Sequence, residues 1–264
     1  MSSLTAYASA TARDSAAPAS SNPGLCIFRT DTKAIEVSDG TDYFAYNNDG
    51  QSLQFSSNSY SGVFDGAGDY VSVGTIASLN SSTDFTVTGW FNYDTLQTVI
   101  IGSGASSSAR FAIRPESTSS MKATVGGSIY TITLGISGGI SSGTWYHFAC
   151  VINGTSLTVY INGSASDGGS ATVSSLSSGW ADDFDIGRNS PNWTSNLRYF
   201  DGKLDEIAVY DSALTSSDIS NIYNSKIYIG PLAVWRFEND TTDELGVFDG
   251  TNNNVTFSTS DKPY

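Results

Sequence analysis

Two Asn-Gly pairs constrain this chain more than any other feature. Asn153-Gly154 separates the runs Trp145-Tyr-His-Phe-Ala-Cys-Val-Ile152 and Leu157-Thr-Val-Tyr-Ile161, and Asn162-Gly163 closes the second run. Asn-Gly supplies the positive-φ residues that a two-residue hairpin turn demands, and runs rich in β-branched and aromatic residues suit a pleated, half-buried surface. Short runs of the same kind recur at 70–73, 85–93, 98–101, 109–114, 121–125, 129–134 and 184–187, between clusters of Gly, Ser and Asn. That spacing predicts an all-β sandwich and excludes a helical bundle. The 5 Trp, 14 Tyr and 13 Phe among 264 residues provide the bulk to fill the space between two sheets.

Around this centre the composition changes. Residues 1–22 are rich in Ala, Ser and Thr with almost no large apolar side chain, which predicts an arm that is either flexible or ordered only by a partner. Residues 23–50 set apolar stretches between Thr30-Asp31-Thr32 and Asp39-Gly40, predicting a small β-meander that ends near Asp49-Gly50. Three short strands bury too little to stand alone, so this meander points to attachment or to a homo-oligomer. The sandwich is assigned to residues 51–229. It includes one short helix at 215–223, with Thr215 as N-cap, Asp218 at the third helical position, and Ile219 and Ile222 on one face. Residues 230–264 hold a strand at 232–237, an acidic loop and a last strand at 255–258.

The net charge of -14, from 26 acidic and 12 basic residues, opposes binding to nucleic acid or to an anionic membrane. A neutral polymer such as a glycan is compatible with it. No run reaches the ~18 apolar residues of a membrane span, and residues 1–20 lack the basic start and apolar stretch of a secretory signal. Cys26 and Cys150 lie far apart without a CxxC neighbour, and both are expected as separate buried thiols.

Four segments, in order, carry a resemblance. They are Val63-Phe-Asp-Gly-Ala-Gly-Asp-Tyr-Val71, Phe85-Thr-Val-Thr-Gly-Trp-Phe91, the hairpin from Trp145 to Gly163, and Tyr199-Phe-Asp-Gly-Lys-Leu-Asp-Glu-Ile-Ala-Val-Tyr-Asp-Ser-Ala-Leu-Thr215 with Ile219 and Tyr223. Together they resemble the laminin-G-like, concanavalin A-like jelly-roll family. The resemblance implies two stacked antiparallel sheets, often used to bind carbohydrate or protein, and often a calcium site at the rim. One departure is informative: the Trp-x-Phe strand, acidic loop and Gly that normally open such a domain look like Trp235-Arg-Phe237 through Asp249-Gly250, at the opposite end. A circular permutation would return this strand to its usual slot; pairing with a neighbouring subunit, or the stub of a second repeat, is the alternative. The stretch Gly24 to Gly40 resembles a short module of phage fibre and decoration proteins, and the late Trp-x-Phe segment is similar to structural proteins of tailed, marine bacteriophages. These likenesses imply a virion exterior location and other virion subunits as partners.

Tests for chemistry give little support to an enzyme. The nearest match to a glycosidase's Glu-x-Asp-x-x-Glu is Glu238-Asn-Asp240-Thr-Thr-Asp243, which ends in Asp within a loop-like stretch. Asp205 and Glu206 are adjacent, so strand alternation sends them to opposite faces. His147 is the only histidine, has no nucleophile elbow to serve, and is expected to be structural. For calcium, the candidate ligands are Asp65 and Asp69 in one turn and Asp182, Asp183 and Asp185 in another. For a glycan, the loop from Arg188 to Tyr199 offers Trp193 between Asn192 and Asn196, with Arg188 at its start and Trp180 as a second aromatic. Trp90, Trp145 and Trp235 sit on strand patterns and are expected in the core. The resulting expectation is a non-enzymatic virion structural protein whose jelly roll binds host-surface polysaccharide. A purely architectural decoration protein is the first alternative, and a carbohydrate-active enzyme the second.

Overall fold

The computed structural model describes residues 5–7, 26–29, 34–38, 43–46, 52–55, 57–104, 111–176, 181, 183–189 and 197–264. They divide into two compact units, Met1–Asn58 with Ser220–Pro231, and Ser59–Ile219 with Leu232–Tyr264. In the first, β1 (Thr5–Tyr7) runs parallel to β2 (Cys26–Arg29), and β2, β3 (Ala34–Ser38) and β4 (Tyr43–Tyr46) form an antiparallel meander. β1 falls within the stretch expected as an arm; the rest of 1–22 and the side chain of Cys26 lie outside the described residues. In the same unit β5 (Ser52–Gln54) pairs antiparallel with Ile227–Ile229, which is β18 in chain order, and the rings of Phe55 and Tyr228 lie 5.4 Å apart.

The second unit is a two-sheet sandwich. Its strands are β6 (Ser61–Asp65), β7 (Tyr70–Gly74), β8 (Asp84–Tyr93), β9 (Ile101–Ser103), β10 (Phe111–Ser117), β11 (Ser120–Val125), β12 (Ser128–Thr133), β13 (Tyr146–Asn153), β14 (Ser156–Ile161), β15 (Ser164–Thr172), β16 (Phe184–Ile186), β17 (Asp201–Tyr210), β19 (Ala233–Trp235), β20 (Thr251–Asn253) and β21 (Thr256–Ser258). One sheet has seven strands in the order β12-β11-β10-β9-β16-β7-β20. The other has eight, β15-β14-β13-β8-β17-β6-β21 with β19 also on β17. The predicted hairpin is β13 and β14, registered from Asn153 opposite Ser156 to Phe148 opposite Ile161.

Alternation explains the core. Phe85, Val87, Phe91 and Tyr93 of β8 and Tyr146, Phe148, Cys150 and Ile152 of β13 share one cluster with Phe111, Ile113, Met121, Ala123, Phe184 and Ile186 of the facing sheet. The Phe85 ring meets Phe111 edge to face at 4.9 Å, which ties the sheets together. Burial pushes the Cys150 thiol up to about 12, so it behaves as a small apolar side chain. The helix α1 (Ser216–Ser225) begins with a reciprocal capping box: the Thr215 amide donates to Asp218 Oδ2 at 2.9 Å, and the Asp218 amide to Thr215 Oγ1 at 3.3 Å.

The C-terminal segment is woven into the sandwich. β6 pairs with the first half of β17 and β19 with its second half, so the two occupy successive stretches of one edge. β20 and β21 extend the two sheets next to β7 and β6 respectively. Asp243 holds the loop between β19 and β20, because its buried carboxylate accepts the amides of Val234, Leu245, Val247 and Phe248 at 2.8–3.2 Å. Trp235 is fully buried and donates its indole N–H to the Phe248 carbonyl at 2.9 Å. Removing the carboxylate strands several backbone donors at once, so Asp243→Ala is expected to lower the unfolding free energy by about 3–5 kcal/mol. Urea denaturation at neutral pH checks this, and a loss below about 1 kcal/mol would contradict the role given to Asp243.

Candidate functional site

On the outer face of the seven-stranded sheet, β16 buries Phe184 and Ile186 inward and turns Asp185 outward, opposite Gly102 of β9 and Ser72 of β7. Arg188 folds back from the end of this strand, placing Nε 2.9 Å from Asp185 Oδ2. Its guanidinium carbon lies 3.4 Å from the centre of the Tyr70 ring, and Tyr70 in turn lies 6.4 Å from Tyr199. A planar guanidinium can bind a carboxylate edge-on and stack on an aromatic face at the same time, which a lysine cannot do. Burial raises the Asp185 carboxyl above its usual range, with Arg188 and a hydrogen bond from Ser72 opposing the shift.

This cluster forms the base of the predicted glycan loop. The Arg198 amide donates to Asn189 Oδ1 at 2.7 Å, and Arg188 bridges to Tyr199, so the two ends of the loop are pinned together. Asn192, Trp193 and Asn196 within it, and Trp180 and Asp182 nearby in sequence, lie outside the described residues. Arg188, counted as a ligand residue from sequence, is buried and engaged with Asp185 and Tyr70.

The predicted calcium ligands are separately engaged. Asp65 Oδ1 accepts the amides of Ala67 and Gly68 at 2.8 and 3.2 Å, and Asp69 Oδ2 accepts the Asp65 amide at 3.0 Å. Burial raises the Asp69 carboxyl, and the Asp65 charge adds to the rise. Asp183 is exposed, whereas Asp185 is neutralised by Arg188. Among the described residues no group of three or more His, Cys, Asp or Glu could hold a metal ion, and calcium takes about six to eight oxygens.

A second polar cluster, which sequence reasoning missed, lies on the outer face of the eight-stranded sheet. His147 of β13, Trp90 of β8 and Asp205 of β17 are register neighbours, and all are buried. Asp205 and Glu206 are both fully buried, and both charges bear on Tyr264, so they lie on one side of the strand and not on opposite faces. The cause is local, since the register with β8 shifts between Asp205 and Ala208 and Glu206 adopts φ +47, which breaks the alternation. Arg236 Nε stands 3.7 Å from Glu206 Oε1, and its Nη2 the same distance from Glu238 Oε1. Glu238 in turn accepts the Ser59 amide at 2.9 Å.

Residues 259–264 cover this face. Tyr264 donates its hydroxyl to Glu206, with its ring 6.1 Å from Trp90. Although the residue as a whole is 40% exposed, burial of its hydroxyl end against Glu206, then the Glu206 charge, pushes the Tyr264 phenol well above its ordinary range. Asp261 accepts the Trp145 indole N–H at 2.7 Å and pairs with Lys203 Nζ at 2.8 Å, while its carbonyl accepts the Ser61 hydroxyl at 2.6 Å. Burial alone would raise the Asp261 carboxyl, but the bonds from Lys203 and Trp145 outweigh it and hold it below the usual range. Trp145, expected in the core, is half-buried because β13 begins only at Tyr146 and the indole serves this tail. Trp90 is buried, but on the outer side of β8.

The family model described as the concanavalin A-like lectin/glucanases superfamily matches residues 65–220. Among solved structures the chain is similar to the native heptameric SAP-like pentraxin of Limulus polyphemus, with TM-score 0.60 and 20% identity over 77% of this chain and 96% of that one. It is also similar to a Bacteroides ovatus protein named for carbohydrate binding, with TM-score 0.57 and 19% identity over 80% of this chain and 62% of that one. At these identities the likeness is one of fold. No curated protein sequence matches the chain.

Because the folded Asp185 carboxyl is raised, its contribution to stability is full below the unfolded value and is lost as pH rises through the folded one. Arg188→Met removes the opposing charge and shifts Asp185 further up. The variant is expected to lose about 3–5 kcal/mol near neutral pH, with the loss shrinking as the pH is lowered below neutral and the buried carboxyl takes up a proton. Urea denaturation of both proteins across that range provides the check, and a pH-independent difference would contradict the pairing.

Proposed function

The chain belongs to the concanavalin A-like lectin/glucanase superfamily, and from that premise we propose that it is a non-enzymatic carbohydrate-binding protein. The observation that carries the reading is the Tyr70–Arg188–Tyr199 cluster with Asp185 beneath it. It holds together the two ends of the polar stretch whose sequence contains Trp193, Asn192 and Asn196. Aromatic faces pack against the C–H surfaces of sugar rings, and amide side chains reach their hydroxyls. Trp180 is proposed as a second aromatic contact.

Binding is favoured over turnover by what the candidate glycosidase carboxylates already do. Asp243 accepts four backbone amides, Asp240 accepts the Thr242 amide and hydroxyl, and Glu238 accepts the Ser59 amide. These carboxylates are committed to holding loops.

The finer proposal is that this lectin is displayed on the exterior of a bacteriophage virion as a fibre or decoration subunit. It rests on the resemblance of residues 24–40 to modules of such proteins. The meander β2 to β4 is assigned to self-association or to contact with other virion subunits, and β19 is assigned as a permuted opening strand of the sandwich.

The test is binding of the full chain to intact host cells and to their isolated polysaccharides, with and without a calcium chelator. Saturable binding is expected, with Trp193→Ala weakening it at least about tenfold at an unchanged melting temperature; tenfold corresponds to about 1.4 kcal/mol. Absence of saturable binding by folded protein would overturn the lectin reading in favour of a purely architectural role.

A further inference from the structure

We infer that the outer face of the eight-stranded sheet, beneath residues 259–264, is a second ligand site built for a carboxylate-bearing sugar and masked by the chain's own Asp261. The inference rests on the carbohydrate-binding reading and adds to it a substrate class and a second location.

The tail shows what the face recognises. The Asp261 carboxylate is held by Trp145 Nε1 at 2.7 Å and Lys203 Nζ at 2.8 Å, two donors brought together from the start of β13 and from β17. Charge-assisted bonds of this kind form a carboxylate receptor. The pair lies at the mouth of the site, since the Asp261 side chain retains 38% of its exposure and Lys203 22%.

By register, a buried amide without a partner is the neighbour of both donor residues. Asn92 lies opposite Lys203 on β8, one step along the strand from the Phe91–Tyr146 pair and hence beside Trp145. It is 1% exposed, and among the described residues neither its amide oxygen nor its amide nitrogen has a hydrogen-bond partner. An asparagine amide offers two donors and an acceptor, and leaving them buried and unused is costly. Vicinal ring hydroxyls are their natural complement. Further along the face, Glu206 accepts the Tyr264 hydroxyl beside the Trp90 ring, so the tail presents a carboxylate at one end and a hydroxyl donor at the other, against an aromatic wall. A uronic acid carries the same groups on a ring of its own.

The cover is releasable. β21 ends at Ser258, residues 259–264 belong to no strand, and Thr259 and Ser260 are exposed. A tethered carboxylate competes at an effective concentration in the millimolar range, so the intact chain should bind a free uronate weakly.

The experiment titrates galacturonic acid oligomers and neutral galactose oligomers into the full chain and into Asp261→Ala, read by calorimetry and tryptophan fluorescence at physiological salt. The isosteric Asp261→Asn takes its place if the alanine variant does not fold. At least about tenfold tighter galacturonate binding by the unmasked variant is expected, with no gain for galactose oligomers. Adding Lys203→Met should abolish that gain, and adding Asn92→Ala should reduce it. No galacturonate binding by folded Asp261 variants would overturn the inference, as would binding indifferent to Lys203→Met. Binding of a Ser-Asp-Lys-Pro-Tyr peptide without any uronate binding would also overturn it, in favour of tail exchange between copies. Host-polysaccharide binding that depends on Trp193 is measured in the same material. If it persists while uronate fails, only this inference falls; if it too is absent, the lectin reading falls with it.

Discussion

The three central strands of the eight-stranded sheet, β8, β13 and β17, are buried on both faces, and most of the molecule's other features answer to that. One face is met by the second sheet and is satisfied by apolar packing alone. The other carries Thr86, Thr88, Trp90, Asn92, His147, Asp205, Glu206 and Tyr210, all with at most a few per cent of their surface exposed. Burying polar groups is costly unless they are bonded, and burying charge is more so. The chain meets this cost with segments from elsewhere. Thr86 donates to the Ser212 carbonyl ahead of α1 and accepts the Leu214 amide, Arg236 follows β19, and Asp261 and Tyr264 arrive with the tail.

This makes the C-terminal segment structural. It supplies β19 to an edge that β6 leaves half unused, a guanidinium for Glu206, and a loop organised around one carboxylate, Asp243. The same segment brings Asp261 and Tyr264 onto a polar, aromatic face.

Local signals were the most legible in the sequence. The β13–β14 hairpin follows from Asn153-Gly154, and the start of α1 from Thr215 and Asp218, because turn and cap chemistry is decided within a few residues. The sandwich was legible from spacing, and its family from four motifs in order. What escaped were outcomes set by distant parts of the chain. The outward face of β17 could not be read by alternation, since a register shift and the positive φ of Glu206 rotate two carboxylates to the same side. Trp145 read as core because its partner, Asp261, lies more than a hundred residues away in sequence. Of the predicted site residues, Arg188 and Asp185 were brought together, as were Asp65 and Asp69. No sequence signal revealed that the first pair neutralises itself and the second staples its own turn.

The central claim is that the sandwich is closed by its own residues 233–258, while residues 259–264, which belong to no strand, open locally without undoing it. Hydrogen exchange of the full chain, followed by mass spectrometry, tests this most directly. The account predicts that amides of Ala233–Trp235 exchange as slowly as those of β17, through global unfolding, while residues 259–264 exchange much faster through a local opening. Rapid exchange throughout residues 233–264 would contradict it, because the eight-stranded sheet would then stand without the strand that completes it.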